Sequence, residues 1–292
     1  MDKPLLFSFC ISSRGRASHI GKLLKSISAV GSILENNYEV VVVDQNPTSP
    51  LGLEVEPYRQ LLPAIQYIAR PDDVGVAKGR NSAVQASKGL WIICIDDDAQ
   101  INRGYAEALR DIGLSASSGG VFLGRTVDQR QHWTGKRLPL TMRRVTPVTA
   151  WTYSGFPVFR RDCLERIGEF DERLGMGTYF GGDEDTDYAI RSMIANIPVT
   201  YQPRLACLHV AEVPGHNKVL GMARARGALL HKYRHTAVER MLSKALGRYV
   251  IDLRVKRSVQ RILGDELKVS EKTVILSGIT EGYLEWGHRY VE

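Results

Sequence analysis

Residues 91–101 read WIICIDDDAQI, an apolar run, Trp91 to Ile95, that ends in three consecutive carboxylates. The run has the length and composition of a buried strand, and the aspartates fall where that strand would leave its sheet. Working back from it, residues 74–87 carry a helical pattern that stops before Gly89, and 64–68 form a further strand. Residues 38–43, YEVVVV, are apolar and β-branched as a strand covered on both faces must be, and they end at Asp44. Residues 5–11 make a first strand broken by SSRGR, after which Ile20, Leu23, Leu24 and Ile27 recur at helical spacing. Strands alternating with helices over the first hundred residues predict an α/β fold, a mostly parallel sheet flanked by helices. Such sheets hold ligands at the carboxyl ends of their strands, where SSRGR, Asp44 and Asp96 to Asp98 all fall.

In an extended chain Asp96 and Asp98 share a face while Asp97 turns aside. Two carboxylates on one face repel, and a raised pKa or a bound cation relieves the repulsion. Oxygen ligands of this kind suit Mg2+ or Mn2+, which commonly bridges to phosphates. An Asp-rich turn is the plain alternative. The spacing is not the DxDxDG of a calcium loop, and SSRGR is not the GxGxxG of a dinucleotide fold.

The chain has 292 residues, 43% hydrophobic and 24% charged, an ordinary globular balance that sets disorder aside. No stretch approaches the roughly 18 to 20 apolar residues of a membrane span, and the N-terminal apolar run is too short for a signal peptide. A cytosolic protein is expected. Cys10, Cys94, Cys163 and Cys207 include no CxxC pair and read as reduced, mostly buried thiols.

Beyond Gly120 the sequence predicts a strand at 121–123, a partly mobile polar loop over 125–147, order again over 154–161, and two strands at 199–202 and 205–210. From about Leu220 it reads helical to its end. A second acidic constellation lies in GEFDERLGMGTYFGGDEDTDYAIR, residues 168–191. Asp183 can cap a helix there, and acids in a first turn are favourable by roughly 0.3–1 kcal/mol each. Capping accounts for one or two acids. Asp183, Glu184, Asp185 and Asp187 together suit a carboxylate held ready as a general base for an acceptor hydroxyl.

With a phosphate-type metal site and a separate base, the chain resembles a family 2 glycosyltransferase of the GT-A fold, over about residues 5 to 235. The resemblance implies a glycosyltransferase domain at 1–235, with a nucleotide-binding half at 1–100 and an acceptor half at 101–235, and a helical extension at 236–292. It implies that Ser12 and Arg16 of SSRGR approach the nucleotide and that Asp44 contacts the base or ribose. Arg80, in GVAKGRNSAVQASKG, would pair with donor phosphate. Asp96 and Asp97 would face the donor and Asp98 the cation, by the match of IDDDAQI to the DxD element. FRRDCLERIGEFDERL implies that Phe170 and Asp171 line the acceptor pocket. EDTD implies that Asp185 is the base, with Glu184 orienting a sugar; GGDED carries an extra acid, so Asp183 is an alternative base. His209 falls where the family carries a metal-proximal histidine, with His216 competing.

The resemblance thus implies inverting transfer of a sugar from a nucleotide-diphosphate donor, UDP-linked by default, to a glycan or lipid-linked hydroxyl. A nucleotidyltransferase would want a Gly-rich, Lys-containing loop after the first strand, which SSRGRASH lacks. A glycan-binding or scaffold protein of the same fold is the non-enzymatic alternative. Of the formal charge of +7, +10 lies in 218–261, from Lys218 to Arg261, which leaves −3 for the rest. There Leu242, Leu246, Tyr249 and Leu253 recur at helical spacing among Arg240, Lys244, Arg248, Arg254 and Lys256. This predicts a helix that lies on an anionic membrane surface or packs on the catalytic domain. No motif for reading nucleic acid accompanies the charge. Trp133, Trp151 and Tyr153 are candidate sugar-stacking residues.

Overall fold

The computed structural model describes residues 4–15, 17–47, 51–115, 119–127, 141–150, 156–209 and 215–290. Two compact units divide the chain, one made of 1–170 with 188–211, the other of 171–187 with 212–292.

The first unit opens with β1 (Phe7–Ser13), α1 (Ala17–Ala29), β2 (Tyr38–Asp44), α2 (Gly52–Val55), β3 (Ile65–Ala69), α3 (Val76–Ala86) and β4 (Trp91–Cys94). It continues through β5 (Ala99–Gln100), α4 (Arg103–Leu114), β6 (Val121–Val127), β7 (Arg143–Arg144), α5 (Pro147–Ala150), β8 (Val158–Arg160) and α6 (Asp162–Ile167). After α7 (Glu184–Ile194), which begins in the second unit, comes β9 (Val199–His209). The sheet runs β3-β2-β1-β4-β8-β6-β9-β5, with β7 also on β9.

The parallel sheet expected from the sequence is realised in β3, β2, β1 and β4. Beyond β4, β8 pairs antiparallel with both β4 and β6, β6 and β9 are parallel, and β5 and β7 run antiparallel to β9. Every residue of β2 is buried, as its unbroken apolar run requires. Ile20, Leu23, Leu24 and Ile27 of α1 are all 0% exposed within a core that includes Phe9, Ile11, Trp91 and Ile93. Each such side chain contributes about 1.5–3 kcal/mol on burial.

The two strands expected at 199–202 and 205–210 are one strand, β9, whose pairing with β6 shifts between Leu123↔Tyr201 and Arg125↔Ala206. Pro203 accounts for the interruption, because it has no N–H to give to the ladder. The four cysteines are buried free thiols, as the sequence suggested.

The second unit holds α8 (His216–Lys232), α9 (Ala237–Ile262) and α10 (Glu266–Arg289). α8 and α10 cross on glycines: a Cβ on Gly227 would lie 2.0 Å from Ile279 O, and one on Gly282 would lie 2.0 Å from Arg224 O. Backbone therefore packs on backbone, which no larger residue allows. Among the described residues no helix is long and apolar enough to cross a membrane.

Candidate active site

β1 ends at Ser13 and β2 at Asp44, residues that face each other in register, and β4 delivers the three aspartates beside them. Parallel pairing of these strands thus collects Ser12 to Gly15, Asp44 and Asp96 to Asp98 at one end of the sheet. The hydroxyl that reaches the aspartates is that of Ser13, which donates to Asp97 Oδ2 at 2.5 Å. Ser12 is half-buried, with Gly79 of α3 so close that a Cβ there would lie 2.5 Å from Ser12 Cβ. Arg16 lies outside the described residues, as do Trp133, Trp151, Tyr153 and most of the loop expected at 125–147.

Asp44 is 1% exposed and fully engaged. Its Oδ1 accepts from Asn46 N at 2.9 Å and Asn46 Nδ2 at 2.6 Å, and its Oδ2 accepts from Tyr67 Oη at 2.6 Å and from Leu51 N. The carboxylate therefore pins the turn after β2 as an Asx-type acceptor. Arg80 is buried and forms an ion pair with Asp96, Nη2 to Oδ1 at 2.8 Å, while its guanidinium lies 5.7 Å from the centroid of the Phe170 ring. The neighbouring Asn81 clamps the backbone of Phe170, donating to its carbonyl at 3.0 Å and accepting from its N–H at 2.9 Å.

The two-residue strand β5 follows the aspartates directly and pairs with the end of β9, Ala99 opposite His209. That register brings His209 Nε2 to 3.2 Å from Asp98 Oδ1. Asp96, Asp98 and His209 each offer a ligand atom, all within 4.8 Å of one another. His216 belongs to the start of α8 in the second unit and is not in this group. Two carboxylates and an imidazole form a donor set that fits a divalent cation without selecting one. Asp98 is 8% exposed and Asp96 34%, so the group is sheltered on one side and open on the other.

In the second unit the acids before and within α7 differ in environment. Asp183 has φ +62°, in the left-handed region that Asp tolerates better than most residues, and its carbonyl accepts from Asp187 N at 2.8 Å. Burial pushes its carboxyl up to about 6; Arg226 opposes the rise, and Asp185 and Asp187 add to it. Asp185 is half-buried and accepts from Thr186 N at 2.7 Å, while Glu184 is 7% exposed. Asp187 is fully buried, with Lys232 Nζ at 2.6 Å and Tyr233 Oη donating at 2.7 Å.

Phe170 and Asp171, expected on the acceptor side, each have defined partners. Phe170 is 3% exposed and stacks on Tyr188, ring centroids 4.6 Å apart. Asp171 accepts from Arg173 Nε and Nη2, each at 2.8 Å, and from Lys232 Nζ at 2.6 Å. Burial alone would raise its carboxyl, but Arg173 and Lys232 outweigh burial and hold it well below the usual carboxylate range. Lys232 thus bridges Asp171 and Asp187, a link that no local sequence pattern announces.

The sequence pattern of glycosyl transferase family 2 matches residues 8–168. Among solved structures, residues 1–349 of TarS from S. aureus in complex with UDP-GlcNAc are similar, with a TM-score of 0.63 and 19% identity, over 98% of this chain and 93% of that one. The mannosyltransferase PcManGT from Pyrobaculum calidifontis, in complex with GDP-Man and Mn2+, is similar with a TM-score of 0.62 and 18% identity, over 97% of this chain and 88% of that one. At these identities the likeness is one of fold. Among curated protein sequences none matches the chain.

Proposed function

The chain belongs to glycosyl transferase family 2 and is a glycosyltransferase of the GT-A fold, and from that premise we propose that it moves a sugar from a nucleotide-diphosphate donor, UDP-linked by preference, to a glycan or lipid-linked glycan hydroxyl with inversion. The observation that carries the donor side is the convergence of Asp96, Asp98 and His209 within ligand distance of one another. These three residues would hold a divalent cation, Mn2+ or Mg2+, whose charge, when bound, stabilises the departing diphosphate. The solved structures of PcManGT with GDP-Man and Mn2+, and of TarS with UDP-GlcNAc, support a nucleotide-sugar as the partner of this fold.

We assign Arg80, a buried guanidinium held beside the aspartates by its ion pair with Asp96, to the donor phosphates. Asp44 serves the nucleoside by fixing the turn at Asn46 and Leu51 rather than by offering a bare carboxylate. Ser12 and Arg16 approach the nucleotide, and Ser13 orients Asp97. On the acceptor side Asp185 takes the hydroxyl proton, with Glu184 beside it; Asp183 is the competing base, its carboxyl already raised to about 6. Phe170 and Asp171 support the acceptor-side turn through Asn81 and Lys232. A single displacement of this kind needs one base and no covalent intermediate.

Calorimetric titration with UDP, GDP and dTDP, each with and without Mn2+, tests the reading on the wild type and on Asp98→Asn. Cation-dependent binding of one nucleotide, lost in the variant, is the expected result. Absence of binding under every condition would overturn it in favour of a glycan-binding scaffold.

A further inference from the structure

The apolar stripe that the sequence offers for a membrane is spent elsewhere. Leu242, Leu246 and Leu253 of α9 are 0%, 4% and 6% exposed, and the Tyr249 ring takes the Arg226 guanidinium at 5.6 Å. A second stripe lies on the other side of the same helix. Ile251, Val255, Val259 and Ile262 are 62%, 57%, 49% and 85% exposed and recur at steps of four, four and three, so they line one face. Leu263 and Leu267 prolong it past the helix end, 74% and 86% exposed. Isolated apolar side chains on a surface are ordinary, whereas a continuous line of six at the tip of a helical hairpin marks an interaction surface.

The charges around this stripe indicate what covers it. Lys244 and Arg248 continue it toward the helix start, and Arg240, Arg254 and Arg261 flank it. Between 240 and 262 the one acid is Asp252, and Lys256 neutralises it at 2.8 Å. Among the described residues no acid pairs with Lys244, Arg248, Arg254 or Arg261. Behind Arg254 a groove between α9 and α10 is lined by Arg257, Thr273, Ser277 and Thr280, guanidinium and hydroxyl groups that suit a phosphate. A second copy of the chain on this stripe would set arginines against arginines. A bilayer with anionic headgroups accepts the apolar residues in its acyl boundary and the cations at its phosphates.

We propose that the outer face of α9, from Ile251 through Leu267, docks the protein on an anionic lipid bilayer. The inference goes beyond the proposed reaction, since docking needs neither donor nor acceptor. Its test is flotation of the full chain with vesicles of phosphatidylcholine and with vesicles of a phosphatidylcholine–phosphatidylglycerol mixture. Binding to the mixed vesicles alone, weakened by salt, is expected. Ile251→Ser combined with Val255→Ser should lower the partition about tenfold, and Arg254→Gln and Arg261→Gln about fivefold each. All four side chains are exposed, so thermal melting should match the wild type. Equal binding to neutral vesicles, no binding to anionic ones, or unchanged binding by the variants would overturn docking. So would self-association in sedimentation velocity that the Ile251→Ser, Val255→Ser variant abolishes, which would assign the stripe to a second copy. Nucleotide titration of the same variants reports on the donor site separately.

Discussion

His209 Nε2 lies 3.2 Å from Asp98 Oδ1, although the two residues are far apart in sequence. The contact rests on a strand of two residues: Ala99 pairs with His209, and a slip of one position would turn the imidazole to the other face of the sheet. His209→Ala should therefore weaken Mn2+ binding about 10–100-fold or more, at least the effect of losing an outer-shell partner. Titration of Mn2+ with the nucleotide present measures this, with His216→Ala as the control that leaves affinity unchanged.

Asp183 gives a pH-dependent prediction. Its folded carboxyl titrates near 6 against an ordinary 3.8, so the native state holds the proton more tightly than the unfolded chain. Stability then falls as pH rises through the interval between these values, and the full cost is present above it. Asp183→Asn removes the charge and retains a residue that tolerates positive φ. The variant should be more stable by about 1–3 kcal/mol near neutral pH and equal to the wild type in acid below the ordinary carboxylate range. Urea unfolding at the two extremes checks the sign.

Asp171 behaves in the opposite sense. Its depressed carboxyl contributes stability that is present above the ordinary value of 3.8 and lost as pH falls toward the folded one. Lys232→Met would leave Asp171 and Asp187 buried without their shared cation. A loss of about 3–5 kcal/mol is expected at neutral pH, shrinking in acid as the carboxylates protonate. Denaturation midpoints across the pH range would show it.

Asn81 holds both backbone groups of Phe170, and neither bond can be replaced by an aliphatic side chain. Asn81→Ala should cost about 1–3 kcal/mol through the unsatisfied peptide it leaves behind. Differential scanning calorimetry measures that loss.

The parts of the fold that could be read in the sequence are those with local periodicity. The apolar runs of β1, β2 and β4 and the spacing of Ile20, Leu23, Leu24 and Ile27 announce themselves, because both faces of those strands and one face of that helix are buried. Helix α4 is less legible, although Asn102 caps it, accepting from Tyr105 N at 3.0 Å, and Tyr105, Leu109 and Ile112 are buried. Gly104 and Gly113 within it are poor helix formers and weaken the pattern. The three aspartates stand out in the sequence, but their partners are set by strand order. Ser13 on Asp97 and Arg80 on Asp96 depend on β1 lying beside β4 and on α3 folding back over both. Lys232 meets Asp171 across 61 residues, a pairing that only the folded second unit supplies.

The glycine crossing of α8 and α10 bears on how the chain can be cut or lengthened. A polypeptide ended after α8 would keep a bare backbone strip along Gly227, shaped to receive the carbonyl ridge of a glycine-faced helix and little else. The last helix is thus a keystone rather than a tail. The shortened chain should capture the free α10 peptide, and a hinge lengthened between α9 and α10 should let neighbouring molecules exchange their α10 helices, giving intertwined dimers from an otherwise unchanged sequence.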